Sequence, residues 1–152
     1  MQEQAVISDD ALGGSDVFFL PYLMGERSPI NDTDATGLFI GLRPDTTRSQ
    51  MLLAVLEGVS FAIRDNIEVA KAIGIDVKTS YICGGGAKSK LWRKLLSNIL
   101  NIELHIPNAE EGPGYGSAML SMVGANEYKN INECAEKLLS LNDTVAHGLK
   151  NT

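Results

Sequence analysis

The chain has 152 residues, of which 44% are hydrophobic and 21% are charged, and these proportions are typical of one soluble globular domain. Its formal net charge of −6 argues against a nucleic acid or an anionic membrane as a partner, because no basic surface would attract either one. The longest apolar runs are shorter than the roughly 18 residues of a membrane helix. The polar start does not resemble a signal peptide, and Cys83 and Cys134 are too few for a disulfide framework, so we expect a cytoplasmic protein.

The first half of the chain predicts two short strands and one long helix. Residues 1–15 are polar and predict a flexible lead-in. "VFFLPYL" predicts a strand that is an edge or ends at Pro21, because proline cannot donate to a strand ladder. Residues 25–37 predict a long ordered loop, and residues 37–42 predict a second strand. A helix should then run from a cap at Thr46 or Thr47 to Gly74, with an apolar face made of Met51, Val55, Val59, Ala62, Ile63 and Ile67.

The second half alternates strands with helices. We predict strands over 79–83 and 102–107, with a helix over 89–100 between them. "NAEEGPGYG" predicts a turn, and a helix rich in small residues and methionine follows over 115–125. The last predicted helix spans about residues 131–141 or extends beyond them. This order predicts an α/β architecture with four strands in one small sheet, which suggests part of a larger protein.

The triple glycine at Gly84, Gly85 and Gly86 follows a predicted strand and precedes a helix. Ligands bind at such positions in α/β proteins, because the first amides of a helix lack internal partners and can contact a phosphate. The P-loop pattern fails here, since Ala87 stands where it requires glycine, and the G-x-G-x-x-G pattern fails at Ser89. From these residues alone, a nucleotide site and a turn that serves only helix–sheet packing remain equally open.

A second group of glycines, Gly112, Gly114 and Gly116, precedes another predicted helix. If the two strands lie side by side, both glycine turns open at the same sheet edge and could hold a base and ribose. The alternative is that small residues let the helix start pack close to the sheet.

Five other residues have two interpretations each. Arg27 could contact an anion or organise its loop, and Asp32 and Asp34 could bind a metal or make local turns. Glu57 could be an ordinary solvated helix glutamate, or the adjacent Gly58 could mark a close crossing of two elements. Trp92 could line a nucleotide pocket, but a place in the core is favoured. Because His105 and His147 have no nearby ligand partners in the sequence, we predict no metal site.

Four motifs in order resemble the FGGY family of carbohydrate kinases. "GLFIGLRPDTTRSQMLLAVLE" has the spacing of the family's second signature, from Gly37 to Glu57. "FLPYLMGERSPIND", "GGGAKSKLWRKLLSNIL" and "EEGPGYGSAML" accompany it in the family's order. The combination is similar to the xylulose kinase branch, and the match covers about residues 16–126.

The resemblance implies a fold of the actin, hexokinase and Hsp70 ATPase type, in which two ribonuclease-H-like domains enclose a cleft. It assigns residues 16–152 to the C-terminal, ATP-side domain, with the N-terminal sugar-binding domain absent. It implies ATP and Mg²⁺ as cofactors, with the Mg²⁺ site mainly on the missing half. The residues implied to contact ATP or ADP are Gly84, Gly85, Gly86, Ala87, Ser89, Lys90, Gly112 and Gly114.

The implied activity is transfer of the γ-phosphate of ATP to a sugar hydroxyl, best matched by D-xylulose conversion to D-xylulose 5-phosphate. The chain contains no catalytic aspartate of the family, so we predict no catalytic residue and expect the chain alone to be inactive. An apolar edge could also support a homodimer.

Three alternatives remain. The chain could be a non-catalytic binding or regulatory remnant, since Lys90 lies near a position where many relatives have a base-contacting asparagine. The parent kinase could instead act on gluconate or another pentulose. Finally, the domain could be Rossmann-like, with Glu103 as the acid that binds ribose.

Overall fold

The computed structural model of the chain describes residues 4, 7–8, 11–108 and 112–148. Its elements, in chain order, are β1 (Phe18–Leu20), β2 (Leu38–Ile40), α1 (Arg48–Ala72), β3 (Thr79–Tyr81), a 3₁₀ turn (Gly85–Lys88), α2 (Lys90–Leu100), β4 (Glu103–Pro107), α3 (Gly112–Gly124), α4 (Ile131–Leu138) and β5 (Leu141–Val145).

The strands form two separate sheets, so the prediction of four strands in one sheet is wrong. β1 pairs antiparallel with β2, whereas β3 pairs parallel with β4, and β4 pairs antiparallel with β5. The two sheets are separated along the chain by α1, which contacts β1 and also packs against α2. The α/β class is confirmed, and β1 ends before Pro21 as predicted.

Both ends of α1 are as predicted from their capping residues. Thr47 is the N-cap: its hydroxyl accepts a hydrogen bond from the Gln50 amide, and the Gln50 side chain accepts one from the Thr47 amide. This reciprocal pair is a capping box. At the other end, Gly74 has φ of +89°, its amide donates to the Lys71 carbonyl, and the Ile75 amide donates to the Ala70 carbonyl. These bonds form a Schellman motif.

The apolar face predicted for α1 is wrong in its membership. Ile63 is exposed, and the other predicted members are only half-buried. Because α1 packs against β1 and α2 together, its burial follows two contacts rather than one stripe. Its buried residues are Leu53, Ala54, Leu56, Gly58 and Ser60.

The main core lies between α2 and the three-stranded sheet. Its buried members are Leu96 and Leu100 from α2, Leu104 from β4, and Ile102 between these two elements. Val145 of β5 packs against the same cluster. This core fixes the position of α2 relative to the carboxyl ends of β3 and β4.

Two predicted boundaries in the last third of the chain are wrong. α3 begins at Gly112, so all three glycines of the second group lie in the helix; residues 109–111 of the predicted turn are outside the described residues. Pro113 suits this first turn, where a missing amide costs no helical bond. α4 ends at Leu138, and β5 follows it where a longer helix was predicted. β5 covers the second edge of β4, and its half-buried Val145 packs against the core.

Candidate functional site

The parallel pairing of β3 and β4 brings the carboxyl ends of two strands to one edge of the sheet. Tyr81 is opposite His105 at the end of this pairing, and the Ile82 amide donates to the His105 carbonyl. The chain then enters the glycine turn from β3. The two strands therefore lie side by side, as the interpretation of the glycine turns required.

The backbone at Gly84 and Gly85 is open. Gly84 has φ of +83°, a conformation that favours glycine, and a Cβ added at either residue would meet nothing within 4 Å. The Ala87 amide donates to the Gly84 carbonyl at 3.1 Å. Among the described residues, no acceptor takes the amides of Gly84 or Gly85, so these two donors are available to a ligand.

Gly86 has a different role, because it is covered by the ring of Trp92. A Cβ at Gly86 would overlap this ring. The Trp92 indole Nε1 donates to the Ser60 hydroxyl on α1 at 3.2 Å, and the ring packs against the main core. The favoured interpretation of Trp92 as a core residue is confirmed, and Gly86 is a packing glycine.

Ser89 and Lys90 lie at the start of α2 and differ in exposure. Ser89 is the N-cap: its buried hydroxyl accepts from the Trp92 amide at 3.1 Å and donates to Gln4 Oε1 at 2.5 Å. Lys90 is exposed at the first residue of the helix. Both hydrogen-bonding directions of the Ser89 hydroxyl are therefore used within the chain.

A cleft of about 300 Å³ lies beside the glycine turn. Lys88 from the turn and Arg93 from α2 line the cleft, and β5 forms its opposite wall. Within it, Arg93 donates from Nη1 to Asp143 Oδ2 at 2.9 Å. Sequence analysis found no signal for Arg93, Asn142 or Asp143 as site residues, because no strand was predicted beyond residue 107 and a helix arginine is normally solvated. The lining residues are Ile82, Cys83, Gly84, Ala87, Lys88, Arg93, Ile106, Pro107, Asn142 and Asp143.

The second group of glycines borders a neighbouring, largely apolar cleft of about 390 Å³. Gly112 packs tightly on Cys83, and a Cβ there would lie 2.5 Å from the Cys83 sulfur. Cys83 and Pro107 line both clefts, so the two are adjacent. Gly112 and Gly116 line only the second cleft, and Gly114 lines neither of the two.

The 25–37 loop is organised by its own acidic residues. Asp32 Oδ1 accepts from the Asp34 amide at 2.8 Å, which is the local turn expected for this pair. Glu26 and Asp32 exchange two backbone hydrogen bonds. Arg27 is exposed and makes no ion pair with a described residue.

Glu57 lies beside a close crossing of α1 and β1. A Cβ at Gly58 would overlap the Phe19 carbonyl oxygen, so the predicted crossing is confirmed. Glu57 Oε1 accepts from the Gly13 amide at 3.0 Å. Partial burial raises the pKa of the Glu57 carboxyl, and the Gly13 bond offsets part of this rise.

Within the described ranges, no cluster of three or more histidine, cysteine, aspartate or glutamate side chains could hold a metal ion. In the same part of the chain, no helix is both long enough and apolar enough to cross a bilayer.

Residues 1–125 match the model of the C-terminal domain of the FGGY family of carbohydrate kinases. The chain belongs to this family. A curated relative, the xylulose kinase of Staphylococcus xylosus, is 34% identical over 139 residues, which cover 91% of this chain and 29% of the relative.

Solved structures agree with this assignment. A "xyloylose kinase" from Brucella ovis is 35% identical with a TM-score of 0.78, and the match covers 88% of this chain and 28% of that one. A gluconate kinase from Lactobacillus acidophilus is 26% identical with a TM-score of 0.75, covering 91% and 29%. The chain thus spans less than a third of these relatives.

The predicted sugar-kinase fold of the actin and hexokinase type is confirmed, and the Rossmann-like alternative is wrong. Glu103, which that alternative required, pairs with His105 at 2.5 Å.

Proposed function

We propose that this chain is the ATP-binding, C-terminal part of a carbohydrate kinase that transfers the γ-phosphate of ATP to a sugar hydroxyl. D-Xylulose, giving D-xylulose 5-phosphate, is the best substrate assignment, because relatives named xylulose kinase match most of this chain. Residues 16–152 are assigned to the ATP-side domain, and residues 1–15 to a lead-in.

The observation that carries the proposal is the open turn beside the 300 Å³ cleft. Gly84 and Gly85 present amides without acceptors among the described residues, and nothing occupies the space where side chains would be. Successive backbone amides in turns of this kind bind anions such as nucleotide phosphates. Gly86 and Ala87 complete the turn, and Ser89 holds the start of α2 in place.

ATP supplies the transferred phosphoryl group when bound. The residues of this chain have a binding and orienting role: the amides of the turn receive an anionic group, and the basic side chains of the cleft offset its charge. Lys90 and Gly112 are proposed to border the adenosine. Gly114, which lines neither cleft, is proposed to flank the nucleotide through its backbone.

Mg²⁺ is proposed as the second cofactor, held mainly outside this chain. Phosphoryl transfer needs a metal and charged groups on both sides of the phosphate, and the family resemblance implies that the metal site lies mainly on the part of the relatives that this chain does not match. The sugar and its catalytic base are assigned to the part of the relatives that this chain does not match. We therefore expect the chain alone to be inactive. As separate proposals, we place it in the cytoplasm and expect it to be able to form a homodimer.

One alternative substrate has a specific observation in its favour. The Lactobacillus acidophilus gluconate kinase has a TM-score of 0.75 to this chain. Because the sugar is assigned to the part of the relatives that this chain does not match, gluconate, or a pentulose other than xylulose, is tested in a full-length protein. A non-catalytic regulatory remnant is the alternative from another class, and it predicts that nucleotide does not bind.

The test is isothermal titration of the 152-residue chain with ADP and ATP. Binding in the micromolar to low millimolar range supports the proposal, and the absence of heat at millimolar nucleotide contradicts it. For the whole activity, coupled ATP consumption by a full-length protein containing this chain should depend on D-xylulose, with gluconate as the comparison.

A further inference from the structure

Arg93 is an almost buried cation with unused hydrogen-bonding capacity at the cleft. Its side chain is only 10% exposed. Nη1 donates to Asp143 Oδ2 at 2.9 Å, but the buried Nε has no acceptor among the described residues. A guanidinium carries five donors and binds carboxylates or phosphates best through two parallel bonds. The bond to Asp143 therefore leaves part of this capacity unsatisfied.

Asp143 is a partner that can leave at low cost. Its side chain is 51% exposed, in contrast to Arg93, and its other oxygen, Oδ1, accepts from the Thr144 amide. An exposed carboxylate returns to water easily, whereas a buried guanidinium without an anion is strongly unfavourable. Arg93 therefore requires an anion, and Asp143 need not be that anion.

The backbone around Asp143 is irregular where it borders the cleft. Ile106 is opposite Asp143 and Pro107 is opposite Leu141, so Asn142 is an extra residue on β5. Such bulges redirect side chains and are common beside active sites. Asn142 and Asp143 line the same cleft as Gly84 and Ala87. These two residues follow the 1–125 range of the family match.

We propose that Asp143 is an exchangeable counter-ion of Arg93, which a phosphate group of the bound nucleotide displaces so that Arg93 contacts the phosphate. The inference rests on the proposed function. The Asp143 carboxylate then competes with the phosphate group for Arg93. Its presence on β5 therefore lowers the affinity of the cleft for phosphates. No covalent step is involved.

The test compares affinities for ADP and for adenosine, which lacks phosphate, by titration calorimetry. D143N should tighten ADP binding about 3- to 10-fold, because the competing charge is removed, and leave adenosine binding unchanged. R93Q should weaken ADP binding by about tenfold or more, and D143N should have no further effect in the R93Q background. The matched control is D16N, since Asp16 pairs with Arg43 at 3.9 Å and both side chains are well exposed. D16N should leave both affinities unchanged.

A structural role for Asp143 gives the opposite result. If D143N weakens ADP binding or leaves it unchanged while the wild type binds ADP, the counter-ion proposal is overturned and the proposed function stands. If the wild type binds neither ADP nor ATP, the proposed function itself fails.

A second measurement needs no Asp143 variant, in case D143N does not fold. The Nε–Hε resonance of Arg93, assigned by its loss in R93K, should shift on saturation with ADP and stay in place with adenosine. An unchanged Arg93 resonance under saturating ADP would also overturn the proposal.

Discussion

The ring of Trp92 lies directly on the backbone of Gly86, and its Nε1 donates to the Ser60 hydroxyl of α1 at 3.2 Å. Trp92 of α2 thus contacts both the glycine turn and α1. Within one turn, Gly86 therefore serves packing, whereas Gly84 and Gly85 face open space.

Gly86→Ala should destabilise the chain, because the new methyl group would force the Trp92 ring out of its place. We expect a loss of about 1–3 kcal/mol in the free energy of unfolding, the range for an overpacked site. Urea unfolding monitored by fluorescence measures it, since Trp92 is the single tryptophan.

Gly85→Ala is the matched control in the same turn. Its Cβ would meet nothing within 4 Å, so stability should change by less than about 0.5 kcal/mol. The same variant should weaken ADP binding, because the methyl group would enter the space assigned to the ligand. Equal stability losses in both variants would contradict the division of roles within the turn.

Gly58→Ala should destabilise the chain. The added methyl group would meet the Phe19 carbonyl oxygen, which is part of a strand and cannot move independently. We expect a loss of about 1–3 kcal/mol, against the gain that alanine normally gives in a helix. Gly116→Ala in α3, where the space is open, should instead stabilise by about 0.5–1 kcal/mol. Thermal unfolding of both variants tests the pair, and similar shifts in Tm would contradict the close crossing.

Glu57 should give stability a pH dependence of a defined sign. Burial raises the pKa of its carboxyl in the folded chain above the ordinary value, so the folded state binds the proton more tightly than the unfolded state does. This contribution favours folding at acid pH and is lost as the pH rises above the ordinary glutamate range. Glu57→Gln keeps an oxygen for the Gly13 amide and removes the titration.

The measurement is urea unfolding of the wild type and the E57Q variant at several pH values from about 4 to 7. The stability difference between them should grow in favour of E57Q as the pH rises. A constant difference would show that the Glu57 carboxyl has the same pKa in both states.

Local signals predicted much of the fold. Thr47 with Gln50, and Gly74, identified both ends of α1, because capping needs only neighbouring residues. The face of α1 was missed because its burial depends on β1 and α2, which are distant in sequence. β5 was missed for the same reason: Leu141–Val145 becomes a strand by pairing with β4, and no local pattern distinguishes it from the end of α4.

The candidate site could likewise be predicted only in part from the sequence. The glycines at 84–86 were visible in the sequence, but the separate role of Gly86 depends on where the Trp92 ring lies. Arg93 gave no usable signal, since a helix arginine is normally solvated. Its burial and its pairing with Asp143 appear only when β5 is in place.

Binding of the nucleotide by the turn from Gly84 to Ala87 can be measured residue by residue in an amide chemical-shift titration of the chain with ADP. We expect saturable shifts concentrated at residues 84–90 and at Arg93, with little change in the 25–37 loop. Unperturbed amides at residues 84–90 under millimolar ADP, or shifts confined to another surface, would contradict binding at this turn.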